Sequence, residues 1–203
     1  MKKVLMLLLA LSLCIFSFSG CEKKAEDVSD VEEVNGETGE ENEEILPFDA
    51  ALDFYFSSGA GAWGTELVLK NDGSFEGYFH DTNMGEVGEN NPNGTTYVCD
   101  FSGKFESIEK IDETSYKMKL SYLTTEKEEG EEWIEDGILY VTSYPYGLSG
   151  GTEFIFYTPE TKTDSVAEEF LWWWPERFIE DVPETLMHYG IHNVDTDDGF
   201  FTY

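Results

Sequence analysis

Residues 62–80 have the sequence AWGTELVLKNDGSFEGYFH, and this stretch decides the fold class. Apolar and polar side chains alternate along both halves, which is typical of β-strands with one buried face. The predicted inward residues are Trp63, Thr65, Leu67, Leu69, Phe75, Gly77 and Phe79. Between the halves, Asn71, Asp72 and Gly73 favour a tight turn, and Gly73 accepts a positive φ at no steric cost. The stretch therefore predicts an antiparallel hairpin with one face in the core.

Further alternating segments follow the hairpin and predict a mainly β domain. They cover residues 96–105, 116–122, 133–143 and 152–158. Six or so strands separated by turns, with no helix between them, are typical of an antiparallel barrel or a β-sandwich. We expect the barrel and keep the sandwich as the alternative.

The pattern changes near the C-terminus, where one or two short helices are predicted. Ser165 and Glu168 have the spacing of a capping box. Phe170 and Trp174 then fall on one helical stripe, before Pro175 ends or bends the helix. A second short helix is expected within residues 176–189, and residues 200–203 are expected to add a last strand.

The charge of the chain is strongly negative. There are 43 Asp and Glu residues against 12 Lys and Arg, which gives a formal net charge of −31. A surface of this kind repels the phosphate backbone, so nucleic-acid binding is excluded. The charge suits solubility outside the cell, cationic partners or divalent ions, and composition alone does not choose among them.

The N-terminus has the order of a secretory signal. A positive segment at residues 1–3 precedes an apolar run at residues 4–16 that is too short to span a membrane as a mature helix. The sequence FSGC follows at residues 18–21 and resembles the lipobox of bacterial lipoproteins. The resemblance implies that residues 1–20 are a cleaved signal peptide. It also implies that the Cys21 thiol is diacylglyceryl-modified, which anchors the protein at the extracytoplasmic face of the cell membrane.

An acidic linker is predicted over residues 21–46. It has no aromatic residue and few apolar ones, so it cannot bury enough surface to offset the entropy of ordering. As a flexible coil it would extend about 25–30 Å. The linker would tether a folded domain that comprises residues 47–203.

The opening strand of the hairpin, with its Trp63-Gly64 pair, and the glycine turn into an aromatic second strand resemble lipocalin-like (calycin-type) small barrels. Uncharacterised lipoproteins of Gram-positive bacteria have a similar motif. The resemblance implies a barrel of about eight strands, a ligand cavity and a helix packed outside. It implies no catalytic residues.

The candidate ligand-binding residues are aromatic. Trp172 and Trp173 fall on the acidic stripe of the predicted helix, four residues after Glu168 and Glu169. Exposed tryptophans mark binding surfaces, although the C-terminal segment would instead cover them if they belong to the core. Tyr78 and His80, on the outward face of the second hairpin strand, complete this set.

The polar loop after the hairpin offers oxygen ligands for Ca²⁺. Asp81, Asn83 and Glu86 lie close together in a glycine-containing stretch, and carboxylate and amide oxygens are the ligands that Ca²⁺ prefers. Their order differs from that of an EF-hand. No cofactor other than Ca²⁺ is expected, and a solvated loop without a metal is the alternative.

Walker and HExxH patterns are absent from the sequence. The leading hypothesis is a membrane-anchored module that binds a small molecule or a cell-wall ligand. The alternatives are a cell-surface interaction or structural protein and a carboxylate-dependent hydrolase. An open cleft lined by aromatic rings would favour the ligand-binding module, and a filled barrel would favour the interaction or structural protein. Two carboxyls facing each other at about 5–9.5 Å would favour the carboxylate-dependent hydrolase.

Overall fold

The computed structural model describes residues 44–203, so Cys21, the signal peptide and most of the acidic linker lie outside the described residues. The strands of this part are β1 (Leu52–Phe56), β2 (Trp63–Leu69), β3 (Ser74–Asn83), β4 (Thr95–Lys110), β5 (Ser115–Thr125), β6 (Glu132–Glu135), β7 (Ile138–Thr142), β8 (Glu153–Tyr157), β9 (Gly190–Asn193) and β10 (Gly199–Phe201). The helical elements are α1 (Glu168–Leu171) and two 3-10 turns, Thr163–Ser165 and Pro175–Phe178.

Eight of the strands close into an antiparallel barrel. Their order around the barrel is β1, β2, β3, β4, β5, β8, β9 and β10, and the pairing of β10 with β1 completes the ring. This arrangement confirms the predicted barrel and rules out the sandwich. The other two strands form a hairpin in which β7 runs parallel to β4. Among the described strands, β6 pairs with β7 alone.

The central hairpin has the predicted register. Leu69 pairs with Phe75 and Thr65 pairs with Phe79, so both strands direct the same face into the barrel. Gly73 has a φ of 82° in the turn. A Cβ at Gly73 would lie 2.3 Å from the carbonyl oxygen of Phe105, so the turn also needs glycine for space. Pattern and turn chemistry together thus determine this part of the fold.

Aromatic side chains fill the inside of the barrel. The inward residues, each at most 6% exposed, are Phe54, Phe56, Leu67, Leu69, Phe75, Phe79, Cys99, Phe101, Phe105, Met118, Phe154, Phe156, Ile191 and Phe200. Two glycines make room for them, because a Cβ at Gly77 would lie 2.4 Å from the Phe101 ring and one at Gly103 would lie 2.3 Å from the Phe75 ring. The space that the lipocalin resemblance assigns to a ligand is occupied by these side chains.

Cys99 is part of this interior. It is a free cysteine, and burial raises the pKa of its thiol to about 11. The group is therefore protonated at neutral pH, and it packs as a small apolar side chain.

The predicted capping box is wrong. Helix α1 begins after Ala167, and no side chain caps it. The hydroxyl of Ser165 instead donates to the carbonyl of Lys162, 2.7 Å away, inside the preceding 3-10 turn. Val166 is extended, with φ −105° and ψ 148°, so the chain leaves the helical region between the two residues of the predicted box.

The second predicted helix is also wrong in its extent. Only the 3-10 turn Pro175–Phe178 is helical within residues 176–189. Leu186 N donates to the carbonyl of Thr161, and Thr163 N donates to the carbonyl of Glu184. These hydrogen bonds hold the segment extended, since its backbone groups are satisfied by a neighbouring segment and not by its own turns.

A second, smaller core lies outside the barrel wall. Phe170 of α1, together with Trp174 and Leu186 from the segment that follows it, packs against Tyr157 and Phe201, which point outward from the barrel. The rings of Phe170 and Phe201 are 4.6 Å apart between centroids. This core fastens α1 and the residues that follow it to β8 and β10, and it agrees with the helix that the resemblance places outside the barrel.

Ordered packing of the described residues begins near Leu46. Its side chain is 1% exposed, and its backbone N donates to the carbonyl of Asn71 at 2.9 Å. Leu46 is the last residue of the predicted linker, so the packed domain includes this residue. No helix among residues 44–203 has the length and apolar character needed to cross a membrane.

We predict that Phe75→Ala lowers the free energy of unfolding by about 3–5 kcal/mol, because the truncation opens a cavity beside Phe101 and Phe105. Chemical denaturation followed by fluorescence measures the change. Glu76→Ala is the control on the exposed face of the same strand, and we expect it to change stability by less than about 0.5 kcal/mol. A loss below about 1 kcal/mol in the Phe75 variant would contradict the described packing.

Candidate functional site

An open groove on the outside of the barrel combines aromatic rings with polar groups, and we call it the aromatic groove. It has a volume of about 300 Å³. The residues that line it are Ser57, Ser58, Gly59, Trp172, Trp173, Trp174, Pro175, Arg177, Phe178 and Tyr203. The loop after β1 thus meets the segment after α1 and the last residue of the chain.

The three consecutive tryptophans of the groove have three different environments. Trp174 is buried, and its indole N–H donates to the carbonyl of Leu186 at 2.9 Å. Trp173 is half-buried, and its indole N–H donates to the carbonyl of Asp197 at 3.0 Å. Trp172 is 63% exposed. The run divides in this way because α1 ends at Leu171, with Trp172 as its C-cap, and the backbone is already extended at Trp174.

Trp173 closes one end of the barrel. Its ring lies 4.7 Å from the ring of Phe56 and 6.3 Å from that of Trp63, both between centroids and edge-to-face. Such pairs add stability beyond the area that they bury. Of the two tryptophans predicted to bind a ligand, Trp173 is therefore largely a core residue with one edge in the groove, and Trp172 is the accessible one.

Two other aromatic residues extend the accessible surface beside Trp172. Phe178 is 80% exposed, and Tyr203 is 72% exposed with its ring 5.3 Å from that of Tyr55. Exposed rings clustered at one groove are typical of binding surfaces.

Arg177 provides the positive charge of the groove and is the only arginine in the chain. Its guanidinium carbon lies 4.2 Å from the centroid of the Phe178 ring. The neighbouring carboxylate of Glu176 pairs instead with His188, at 2.8 Å. Among residues 44–203, the ion pairs do not include Arg177. Its hydrogen-bond donors are therefore available to a ligand.

Tyr78 and His80 lie in a different place. Their rings stack on the outer face of β3, with centroids 6.0 Å apart. Tyr78 borders a separate concavity of about 480 Å³, whose lining includes the carboxylates of Glu66, Glu76, Asp100 and Glu126. Burial, and next the charge of Asp100, raise the pKa of Tyr78. The structure does not bring these two residues into the aromatic groove.

Two of the three predicted Ca²⁺ ligands, Asn83 and Glu86, make side-chain hydrogen bonds to each other and to nearby groups. The Asn83 side chain accepts from the backbone N–H of Gly85 at 3.1 Å and donates to Glu86 at 3.4 Å. Tyr97 donates its hydroxyl to Glu86 at 3.0 Å, which raises the pKa of Tyr97. Asp81 lies in β3, opposite Tyr97. In the part of the chain that the structure describes, no group of three or more His, Cys, Asp or Glu residues is arranged to hold a metal. Calcium binding stays a prediction.

Comparisons with protein-family models, with curated proteins and with solved structures found no match to this chain. Sequence reasoning identified Trp172 but missed Arg177, Phe178 and Tyr203. One usable signal was present, since a single arginine in a chain with 43 acidic residues stands out by composition.

We predict opposite outcomes for two adjacent substitutions. Trp173→Ala should lower the free energy of unfolding by about 2–4 kcal/mol, because it uncovers Phe56 and removes the hydrogen bond to Asp197. Trp172→Ala should lower it by less than about 1 kcal/mol, because most of this ring is already in solvent. Thermal and urea denaturation measure both changes. Equal losses in the two variants would contradict the described division of the tryptophans.

Proposed function

We propose that this chain is a membrane-anchored extracytoplasmic lipoprotein whose barrel domain binds a cell-wall ligand through the aromatic groove. The observation that carries the proposal is an open groove lined by exposed rings on the outside of a barrel whose inside is filled. A filled interior leaves the outer surface as the place for contacts. The exposed rings of Trp172, Phe178 and Tyr203 are concentrated at this groove.

The energetics of the groove support a role in binding. Covering one large apolar side chain stabilises a complex by about 1.5–3 kcal/mol. The three exposed rings would therefore supply a substantial part of the roughly 8 kcal/mol of a micromolar complex. Trp172 and Arg177 belong to the residue types that most often dominate the binding free energy of an interface. Nucleic acid is a poor candidate because of the net charge of −31.

An interaction protein at the cell surface is the second candidate. It is favoured by the filled interior, because a barrel without an internal cavity presents only its exterior to partners. The hydrolase alternative would have to use the carboxylates of the acidic concavity beside Tyr78. That concavity and the aromatic groove are lined by different residues, so a variant of one tests that site alone.

The groove is tested by sedimentation of the purified full-length chain with lipid-free cell walls from the bacterium that produces it. We expect the parent protein to sediment with the walls. The double variant Trp172→Ala with Phe178→Ala should bind at least tenfold more weakly, since two exposed rings are removed. Tyr122→Ala is the control, because Tyr122 is an exposed aromatic residue of β5 outside the groove. Unchanged wall binding by the double variant would contradict the proposal.

The anchor is tested separately, by cell fractionation. We expect Cys21→Ala to block lipidation, so that the protein is no longer processed normally and leaves the membrane fraction. The motivation is the FSGC sequence at residues 18–21 that follows an apolar run. Ser19→Thr is a control that leaves the cysteine in place. A Cys21→Ala protein that is processed normally and remains membrane-bound would show that the lipoprotein assignment is wrong.

A further inference from the structure

We propose that the ligand of the aromatic groove is an uncharged carbohydrate, with the indole of Trp172 as its stacking surface and Arg177 as its hydrogen-bond donor. This inference rests on the proposed function and names the chemical class of the ligand.

The groove presents an apolar surface and a polar surface to the same space. The rings of Trp172 and Phe178 supply the apolar surface, and the hydroxyls of Ser57 and Ser58 contribute to the polar surface. The Ser57 oxygen already accepts the backbone N–H of Gly59 at 3.2 Å, so its O–H remains able to donate. A sugar ring matches both surfaces, because it has an apolar face of C–H groups and a rim of hydroxyls.

The donors of Arg177 argue against a purely apolar occupant. A guanidinium carries five N–H donors and no acceptor. The Arg177 guanidinium contacts the face of the Phe178 ring, while the adjacent carboxylate of Glu176 pairs with His188. An acyl chain in the groove would cover these donors without giving them a partner, which is unfavourable. Hydroxyl oxygens of a sugar would accept hydrogen bonds from them, and a planar fork suits two neighbouring oxygens.

The charges around the groove argue for a neutral ligand. The net charge would attract a basic peptide, but within the groove its positive charge would lie beside Arg177, which has the only charged side chain among the residues that line it. A polyanion would approach a chain with a net charge of −31 and would meet the exposed carboxylates of Glu169, Glu180 and Asp181 on the same segment. An uncharged, hydroxyl-rich ligand avoids both repulsions.

The test is calorimetric titration of the full-length chain, purified in detergent, with three probes. Two are neutral, the N-acetylglucosamine trimer and maltotriose, and the third is the acidic galacturonic acid trimer. We expect at least one neutral trimer to bind and to displace the protein from lipid-free cell walls, and we expect weaker binding of the acidic trimer. Trp172→Ala and Arg177→Ala should each weaken the binding of the neutral trimer at least tenfold. Tyr122→Ala should bind as the parent does, and melting temperatures show that each variant is folded.

Arg177→Lys separates donor geometry from charge. It keeps the positive charge and loses the planar fork, so we expect an affinity clearly below that of the parent protein. Parent-like binding by Arg177→Ala would overturn the assigned role of this residue.

The possible failures are distinguishable. If wall binding depends on Trp172 but neither neutral trimer binds or competes, the groove remains a binding site and the carbohydrate inference is wrong. The inference is also wrong if the acidic trimer binds most tightly. If wall binding is independent of both Trp172 and Phe178, the proposed function itself fails, together with the inference.

Discussion

Reciprocal packing of phenylalanine on glycine inside the barrel is the constraint on which the remainder of the structure depends. Phe75 in β3 lies opposite Gly103 in β4, and Gly77 in β3 lies opposite Phe101 in β4. Each glycine leaves the space into which the facing ring extends. Aromatic rings laid over cross-strand glycines also compensate the weak strand preference of glycine. Because the rings occupy the interior, contacts with other molecules are left to the outer wall and to the segments attached to it.

Much of the barrel could be predicted from sequence because its determinants are local. Alternation along β2 and β3, with Gly73 between them, specifies which residues point inward and where the chain reverses. The helices near the C-terminus were less predictable, since residues 176–189 were expected to be helical but backbone groups of this segment bond to residues 161–163. The hydrogen bond between Leu186 N and the carbonyl of Thr161 is one example. Tertiary contacts of this kind override local preference.

The candidate site was less accessible to sequence reasoning than the fold. Ser57 and Trp172 are more than a hundred positions apart, and only the closed barrel places them on one groove. A helical stripe assigns Trp172 and Trp173 the same environment, whereas α1 ends at Leu171, before both residues, and their environments differ. Tyr78 shares the outward parity expected of a binding residue but lies on another part of the wall. Parity along a strand indicates which face a side chain occupies and does not indicate its neighbours across the molecule.

Closure of the barrel has a consequence for self-association. In the closed ring every strand has two partners, whereas β6 pairs with β7 alone among the described strands and has one edge without a partner strand there. An open edge of this kind is a template for strand addition by a second molecule. Glu132 and Glu135 stand at the two ends of β6, with Glu131 and Asp136 just outside it. Two copies that approached edge to edge would bring these carboxylates together, so the acidic composition opposes aggregation at the place where the fold is most open to it.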